Sequence, residues 1–233
     1  MIYITGDTHG ELSIKKLNSN NFSQGEKLTK NDYVIICGDF GLVWDNGKKD
    51  SWWRKWLDEK PWTTLFIDGN HENFDLLYQF PTQNKFGGIV HQIGDSIFHL
   101  TRGQIFTIDE LKFFTMGGAK SHDKAFRREY VSWWPQEMPN YSEYEEALYN
   151  LEQNSWKVDY ILTHCAPESI QKAINSSFEA DVLTLFLEQI AAQANFKKWY
   201  FGHYHKDFCI QKFHCLYNNI ELIGGNDEIS ISE

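Results

Sequence analysis

The chain has 233 residues and a formal charge of −10, with 42% hydrophobic and 23% charged residues. That balance excludes a disordered chain, and the length fits one large domain over residues 1–233. No window approaches the ~18 consecutive apolar residues of a membrane span, and the acidic excess argues against a protein whose main task is coating nucleic acid.

Met1 to Asp7 reads as a strand running into a loop. It lacks a basic start, a long apolar stretch and a small-residue cleavage site, so a cytoplasmic chain is expected. Tyr33–Cys37 runs into Gly38-Asp39, Thr64–Ile67 into Asp68-Gly69-Asn70-His71, Tyr160–Thr163 into His164, and Trp199–Phe201 into Gly202-His203. Each has the length and the β-branched or aromatic enrichment of a buried strand. Helices are expected over 51–59, 73–80, 143–154 and 181–194; in the last, Val182, Leu185, Phe186 and Ile190 share a face and Asp181 caps the start. The apolar runs 88–93, 97–101, 104–108 and 111–116 read as antiparallel strands, as does 207–223 with Asn218-Asn219 as its turn. Together these predict an α/β protein with strands of both directions. Residues 118–140, containing Trp133-Trp134-Pro135, read as a long irregular excursion, and loops of that length often carry function. Cys37, Cys165, Cys209 and Cys215 show no paired C-x-x-C spacing, and Cys37 is expected to be a buried free thiol.

The informative residues stand at the strand ends: Asp7-Thr8-His9, Gly38-Asp39, Gly69-Asn70-His71-Glu72, Thr163-His164 and Gly202-His203-Tyr204-His205. Open α/β sheets place ligand sites beyond the carboxyl ends of their strands, so these clusters are expected to meet at one edge. Each motif alone is common. Together they bring two Asp, one Asn and five His to one place, and so many buried imidazoles and carboxylates need a charge-balancing partner. Imidazole with carboxylate and amide oxygen, and without thiolate, suits Mn, Fe, Zn or Ni. The glycines before these ligands suit φ > 0 or close backbone approach. Glu72 is read as complementing a helix start.

In this order the motifs resemble the calcineurin-like metallophosphoesterases, over residues 5–205. The resemblance implies a four-layer α-β-β-α sandwich, with two mixed β-sheets flanked by helices, and a centre of two divalent metal ions. Manganese is the first expectation, and Fe, Zn, Ni or Co suit the same ligands. Carried over, Asp7, His9 and His205 hold one ion and Asn70, His164 and His203 the other, with Asp39 bridging and His71 beside the phosphate as the catalytic acid or donor. Two such ions hold a shared water in line with phosphorus and lower its pKa.

The second motif departs from the protein Ser/Thr phosphatases of that family. Asp39 is followed by Phe40-Gly41-Leu42-Val43-Trp44-Asp45, without the Asp and Arg those enzymes carry there. The Asp that would orient His71 is therefore missing unless Asp45 or Asp68 substitutes, and substrate cations must come from elsewhere. Lys124 and Arg127 in the excursion are the first candidates and Arg102 another, while Trp44, Trp133 and Trp134 are candidates for stacking a base or for the core. The expected function is hydrolysis of a phosphomonoester or phosphodiester, with a small molecule or nucleotide as substrate. The alternatives are a nuclease of the same chemistry, which the net charge disfavours, and a metal-free binding scaffold, which the complete ligand set disfavours.

Overall fold

Along β2 (Tyr33–Cys37) successive side chains enter different cores, Val34 and Ile36 on one side, Ile35 and Cys37 on the other. A strand apolar on both faces has to be covered on both. The computed structural model, which describes residues 1–224, shows how. Residues 225–233 of the expected single domain lie outside the described residues.

Seven strands form one sheet in the order β13 (Ile220–Ile223), β1 (Ile2–Thr5), β2, β3 (Thr63–Ile67), β6 (Ile97–Leu100), β5 (Gly88–Gln92) and β4 (Thr82–Lys85). Strands β1, β2, β3 and β6 run parallel, and the flanking strands are antiparallel to their neighbours. The second sheet has six strands: β11 (Phe208–Ile210), β12 (Phe213–Cys215), β10 (Lys198–Phe201), β9 (Tyr160–Thr163), β8 (Leu111–Met116) and β7 (Ile105–Ile108). Its central four strands are parallel, and both edges are antiparallel.

Ile35, Leu65 and Leu100 of the first sheet meet Phe106, Phe113, Leu162 and Tyr200 of the second in one buried cluster. On the outer side of the first sheet, Val34, Ile36 and Phe66 pack with Leu57 of α1 (Lys48–Asp58) and with Phe74 and Leu77 of α2 (Phe74–Leu77). Outside the second sheet, Phe114, Ile161 and Trp199 pack with Leu151 of α3 (Tyr141–Gln153), Ile170 of α4 (Glu168–Ile174), and Leu187 and Ile190 of α5 (Val182–Gln193). These three apolar layers separate four structural ones, so the expected α-β-β-α sandwich is the observed architecture. Cys37 is free and buried, as expected. No helix among the described residues is long and apolar enough to cross a membrane.

Two local expectations are corrected. The buried face of α5 is Leu183, Thr184, Leu187 and Ile190, while Val182 and Leu185 are exposed. The helix is apolar nearly all round at its start, so periodicity alone does not select the face. Asp181 does cap it, accepting the Thr184 N–H. Asn218-Asn219 closes no hairpin: it links β12 of one sheet to β13 of the other. Asp207 pins this link by accepting the N–H groups of Tyr217, Asn218 and Asn219.

Candidate metal centre

The parallel strands of both sheets deliver their carboxyl ends to one place. Asp7 and His9 follow β1, Asp39 follows β2, Asn70 and His71 follow β3, His164 follows β9, and His203 and His205 follow β10. Backbone bonds lock the loops together. The N–H groups of Thr8 and His9 both donate to the Asp39 carbonyl, at 3.1 and 2.7 Å, and the Gly202 N–H donates to the His164 carbonyl at 3.0 Å.

The side chains fall into two sets that share Asp39. In the first, Asp7, His9, Asp39 and His205 present ligand atoms that all lie within 4.8 Å of one another. His9 Nε2 lies 3.6 Å from both Asp7 Oδ2 and Asp39 Oδ2, and His205 Nε2 is 3.1 Å from Asp7 Oδ2. In the second, His164 Nε2 is 3.3 Å from Asp39 Oδ1 and 3.1 Å from Asn70 Oδ1, with the His203 ring edge-on to it at 5.0 Å. The two oxygens of Asp39 therefore face different sets. His164 donates from Nδ1 to the Cys37 carbonyl at 2.9 Å, which leaves Nε2 as the nitrogen turned inward.

This arrangement is costly to the fold. His9, Asp39, His203 and His205 all have left-handed backbone, with φ of 44°, 47°, 67° and 50°. Each such non-glycine residue costs about 1–2 kcal/mol, and strain of this kind gathers at functional sites. Gly38 has φ 92°, while Gly69 and Gly202 are required by crowding. A Cβ on Gly69 would lie 2.1 Å from Asp39 Oδ1, and one on Gly202 would lie 1.9 Å from Asp7 Oδ1. Gly69→Ala is accordingly expected to displace Asp39 and lower stability by about 1–3 kcal/mol. A urea midpoint equal to that of the wild type would contradict this.

The electrostatics call for positive charge. Burial opposes a charge on His164, yet Asp39 and Asp7 beside it raise its pKa to about 10. Burial likewise opposes ionisation of Asp39, and His164 overcomes it and holds that carboxyl well below the usual range. His203 goes the other way: desolvation and the charge of His164 push it down to about 3, so its ring stays neutral, the form that ligates a cation. Nitrogen and oxygen donors converging on two buried carboxylates fit divalent transition ions and leave no role for thiolate.

His71 is anchored rather than oriented by an acid. Its N–H donates to Asp39 Oδ1 at 2.8 Å, and its Nε2 faces Arg127 Nη2 at 3.4 Å. Neither expected acid serves it: Asp45 caps the Gly47 N–H, and Asp68 bonds Arg102 and His99. Among the candidate cations, only Arg127 lies beside His9 and His71 in the groove. Lys124 turns to Glu137, 3.4 Å away, with its ammonium over the Trp133 ring. Arg102 is corrected: it is 4% exposed and donates from Nε and Nη2 to one oxygen, Oδ2, of Asp68, at 2.9 and 2.5 Å, so it faces no substrate. Trp134 is a core residue, donating to Asp75, while Trp44 lines the groove.

Glu72 is also corrected. It does not complement a helix: fully buried, it accepts the N–H groups of Phe40 (2.7 Å), Gly41 (3.3 Å) and Gly69 (3.5 Å), tying the β2 and β3 loops together. Burial and the charge of Asp39 push it up to about 8. Sequence reading also missed Ser121 and Glu137, both in the excursion. Asn70 Nδ2 donates to Ser121 Oγ at 3.0 Å, and Ser121 donates to Glu137 at 2.5 Å. Their only signal was position, inside an irregular segment following a strand.

The family model described as calcineurin-like phosphoesterase matches residues 1–207. A lariat debranching enzyme of Danio rerio is 26% identical over 186 residues, covering 72% of this chain and 31% of the relative. Lariat debranching enzyme A of Xenopus laevis is 26% identical over 193 residues, covering 72% and 33%. The chain thus spans about a third of the length of these curated relatives. A Staphylococcus aureus crystal structure, provisionally designated a 5'-nucleotidase, superposes with a TM-score of 0.49 at 13% identity, covering 93% of this chain and 48% of its own.

Proposed function

We propose that this chain, which belongs to the calcineurin-like phosphoesterase family, is a two-metal phosphoesterase acting on a small phosphoester. The observation that carries the reading is Asp39, whose two carboxylate oxygens face separate donor sets. Asp7, His9 and His205 would hold one divalent ion and Asn70, His164 and His203 the other. When bound, such ions supply Lewis acidity toward phosphoryl oxygens and lower the pKa of water.

The chain's own residues do the rest. Asp123 and the Ser132 carbonyl hold Arg127 Nε and Nη1, leaving Nη2 beside His71 and free to turn to a phosphoryl oxygen. A guanidinium only donates, so His71 Nε2 accepts from it until phosphate takes that donor. His71 then stands where a leaving-group oxygen gains charge and can be given a proton or a hydrogen bond, worth about 10²–10⁴-fold. The organic part of the substrate has a place as well. A groove of about 470 Å3 runs from His9, His71 and Arg127 to Leu42, Trp44 and Trp53. That is the size of a small-molecule site, and its walls suit a planar apolar group such as a nucleobase or a nitrophenyl ring.

The test is turnover of p-nitrophenyl phosphate, bis-p-nitrophenyl phosphate, p-nitrophenyl phenylphosphonate, a phosphopeptide and single-stranded DNA, each with Mn, Ni or Zn. Turnover that needs metal supports the phosphoesterase, and the preferred ester separates monoesterase from diesterase. DNA as the best substrate favours the nuclease, and no turnover with no metal bound overturns the enzyme reading. In the same panel Arg127→Met is expected to raise KM about 10–100-fold with metal content unchanged, the loss of one charged hydrogen bond. An unaltered KM would remove Arg127 from the substrate contacts.

A further inference from the structure

An amide ligand raises a question that a carboxylate does not. The oxygen and nitrogen of Asn70 have nearly the same shape, and only the oxygen ligates a cation. Something has to hold the amide the right way round. Of the strand-end motifs, His164 Nε2 reaches its oxygen at 3.1 Å, but a ring nitrogen that ligates a cation cannot also donate to that oxygen. The excursion does hold it.

Glu137 ends a single turn over Pro135–Glu137, and its side chain is fully buried. Burying a carboxylate costs several kcal/mol unless it is well bonded. Its partners are the Ser121 N–H at 3.1 Å, the Ser121 hydroxyl at 2.5 Å and the Lys124 ammonium at 3.4 Å. A carboxylate accepts and has nothing to donate, so Ser121 spends its one hydroxyl proton on Glu137. Toward Asn70, 3.0 Å away, Ser121 Oγ can only accept. The group facing it is therefore the NH2 of Asn70, and Oδ1 is turned the other way, 3.1 Å from His164 Nε2.

We propose that Glu137 and Ser121 are positioning residues that fix the rotational sense of the Asn70 amide and so aim its oxygen at the second cation position. The metal half of this rests on the two-ion reading above. The orientation half does not, since it follows from donors and acceptors already in place.

Two measurements test it, one needing no metal. In the metal-free protein the side-chain 15NH2 signal of Asn70, assigned by its loss in Asn70→Asp, is expected to be protected from solvent exchange. Ser121→Ala and Glu137→Gln are expected to shift it and remove the protection; an Asn70 signal unchanged in both variants overturns the proposal. The second is calorimetric titration with Mn2+. Each variant is expected to weaken the second ion about 10–100-fold, as loss of an outer partner of a ligand does. In an Asn70→Asp background, where both ligand atoms are oxygen, Glu137→Gln should cost about twofold or less. An equal loss in both backgrounds means that Glu137 only braces the loop, and the proposal fails. A wild type that binds one ion while its Asn70 signal still responds to Ser121→Ala sinks the two-ion reading and leaves the positioning role standing.

Discussion

Asp39→Asn is expected to lower metal-dependent turnover by about 10³-fold or more, since stabilisation of phosphoryl charge worth several kcal/mol is withdrawn at once. Asp39 turns its two oxygens to the inward Nε2 atoms of both donor sets, at 3.6 Å from His9 and 3.3 Å from His164. Asparagine keeps the shape and one oxygen, which can go on accepting the His71 N–H now bonded at 2.8 Å. It cannot offer a second lone-pair face, so one set has to lose its shared ligand. The readouts are metal content after dialysis against Mn2+ and turnover of the best ester, with urea unfolding to show that the chain remains folded. A variant holding two ions and turning over within about tenfold of the wild type would remove Asp39 as the bridge. A variant with fewer ions and no activity is the result the geometry requires.

What the sequence makes legible follows from where strands end. Every candidate ligand lies within four residues of the end of an apolar strand, and parallel strands carry such residues to one edge by construction. The glycines were legible too, although crowding at Gly69 and Gly202 is a different reason from the positive φ of Gly38. The partition of strands between sheets was not. Strands β5 and β6 pair with each other, as do β7 and β8, but the chain changes sheet between β6 and β7, and no local pattern marks that crossing. Charge was misread for a similar reason. Arg102 and Arg127 look alike as cations near turns, and a partner distant in sequence decides which one is buried. Asp68, 34 residues away, takes Arg102, whereas Asp123, four residues away, leaves Arg127 in the groove. Glu72 and Glu137 show the same limit: nothing near a buried carboxylate in sequence names the N–H or hydroxyl it accepts from.

Arg102→Met puts that distinction to a thermodynamic test. Arg102 donates to Asp68 from Nε and Nη2 and reaches the Gln136 carbonyl at 2.8 Å, so it ties the β3 end to the excursion. Its removal strands a buried carboxylate whose remaining partner is His99 at 3.0 Å. Breaking such a pair costs about 3–5 kcal/mol, out of a total stability of about 5–15 kcal/mol. Asp68→Asn in the same chain should recover part of the loss, because the stranded charge goes while an oxygen remains for His99. The pH dependence carries a definite sign. In the wild type, burial opposes ionisation of Asp68, but Arg102 and His99 hold its carboxyl well below the usual carboxylate range. Such a group stabilises the fold fully above its unfolded pKa of about 3.9, and that stability is lost as pH falls toward the folded value. In Arg102→Met burial dominates instead, the folded pKa rises above the unfolded one, and the charge becomes a penalty that is largest at neutral pH. The stability gap between wild type and variant is therefore widest near pH 7, narrows as pH falls through the variant's raised folded pKa, and goes on closing toward the wild type's lowered one. Urea unfolding across that range measures it. A gap that stays constant with pH would mean that Arg102 contributes packing and not charge, and a raised KM with unchanged stability would return it to the substrate.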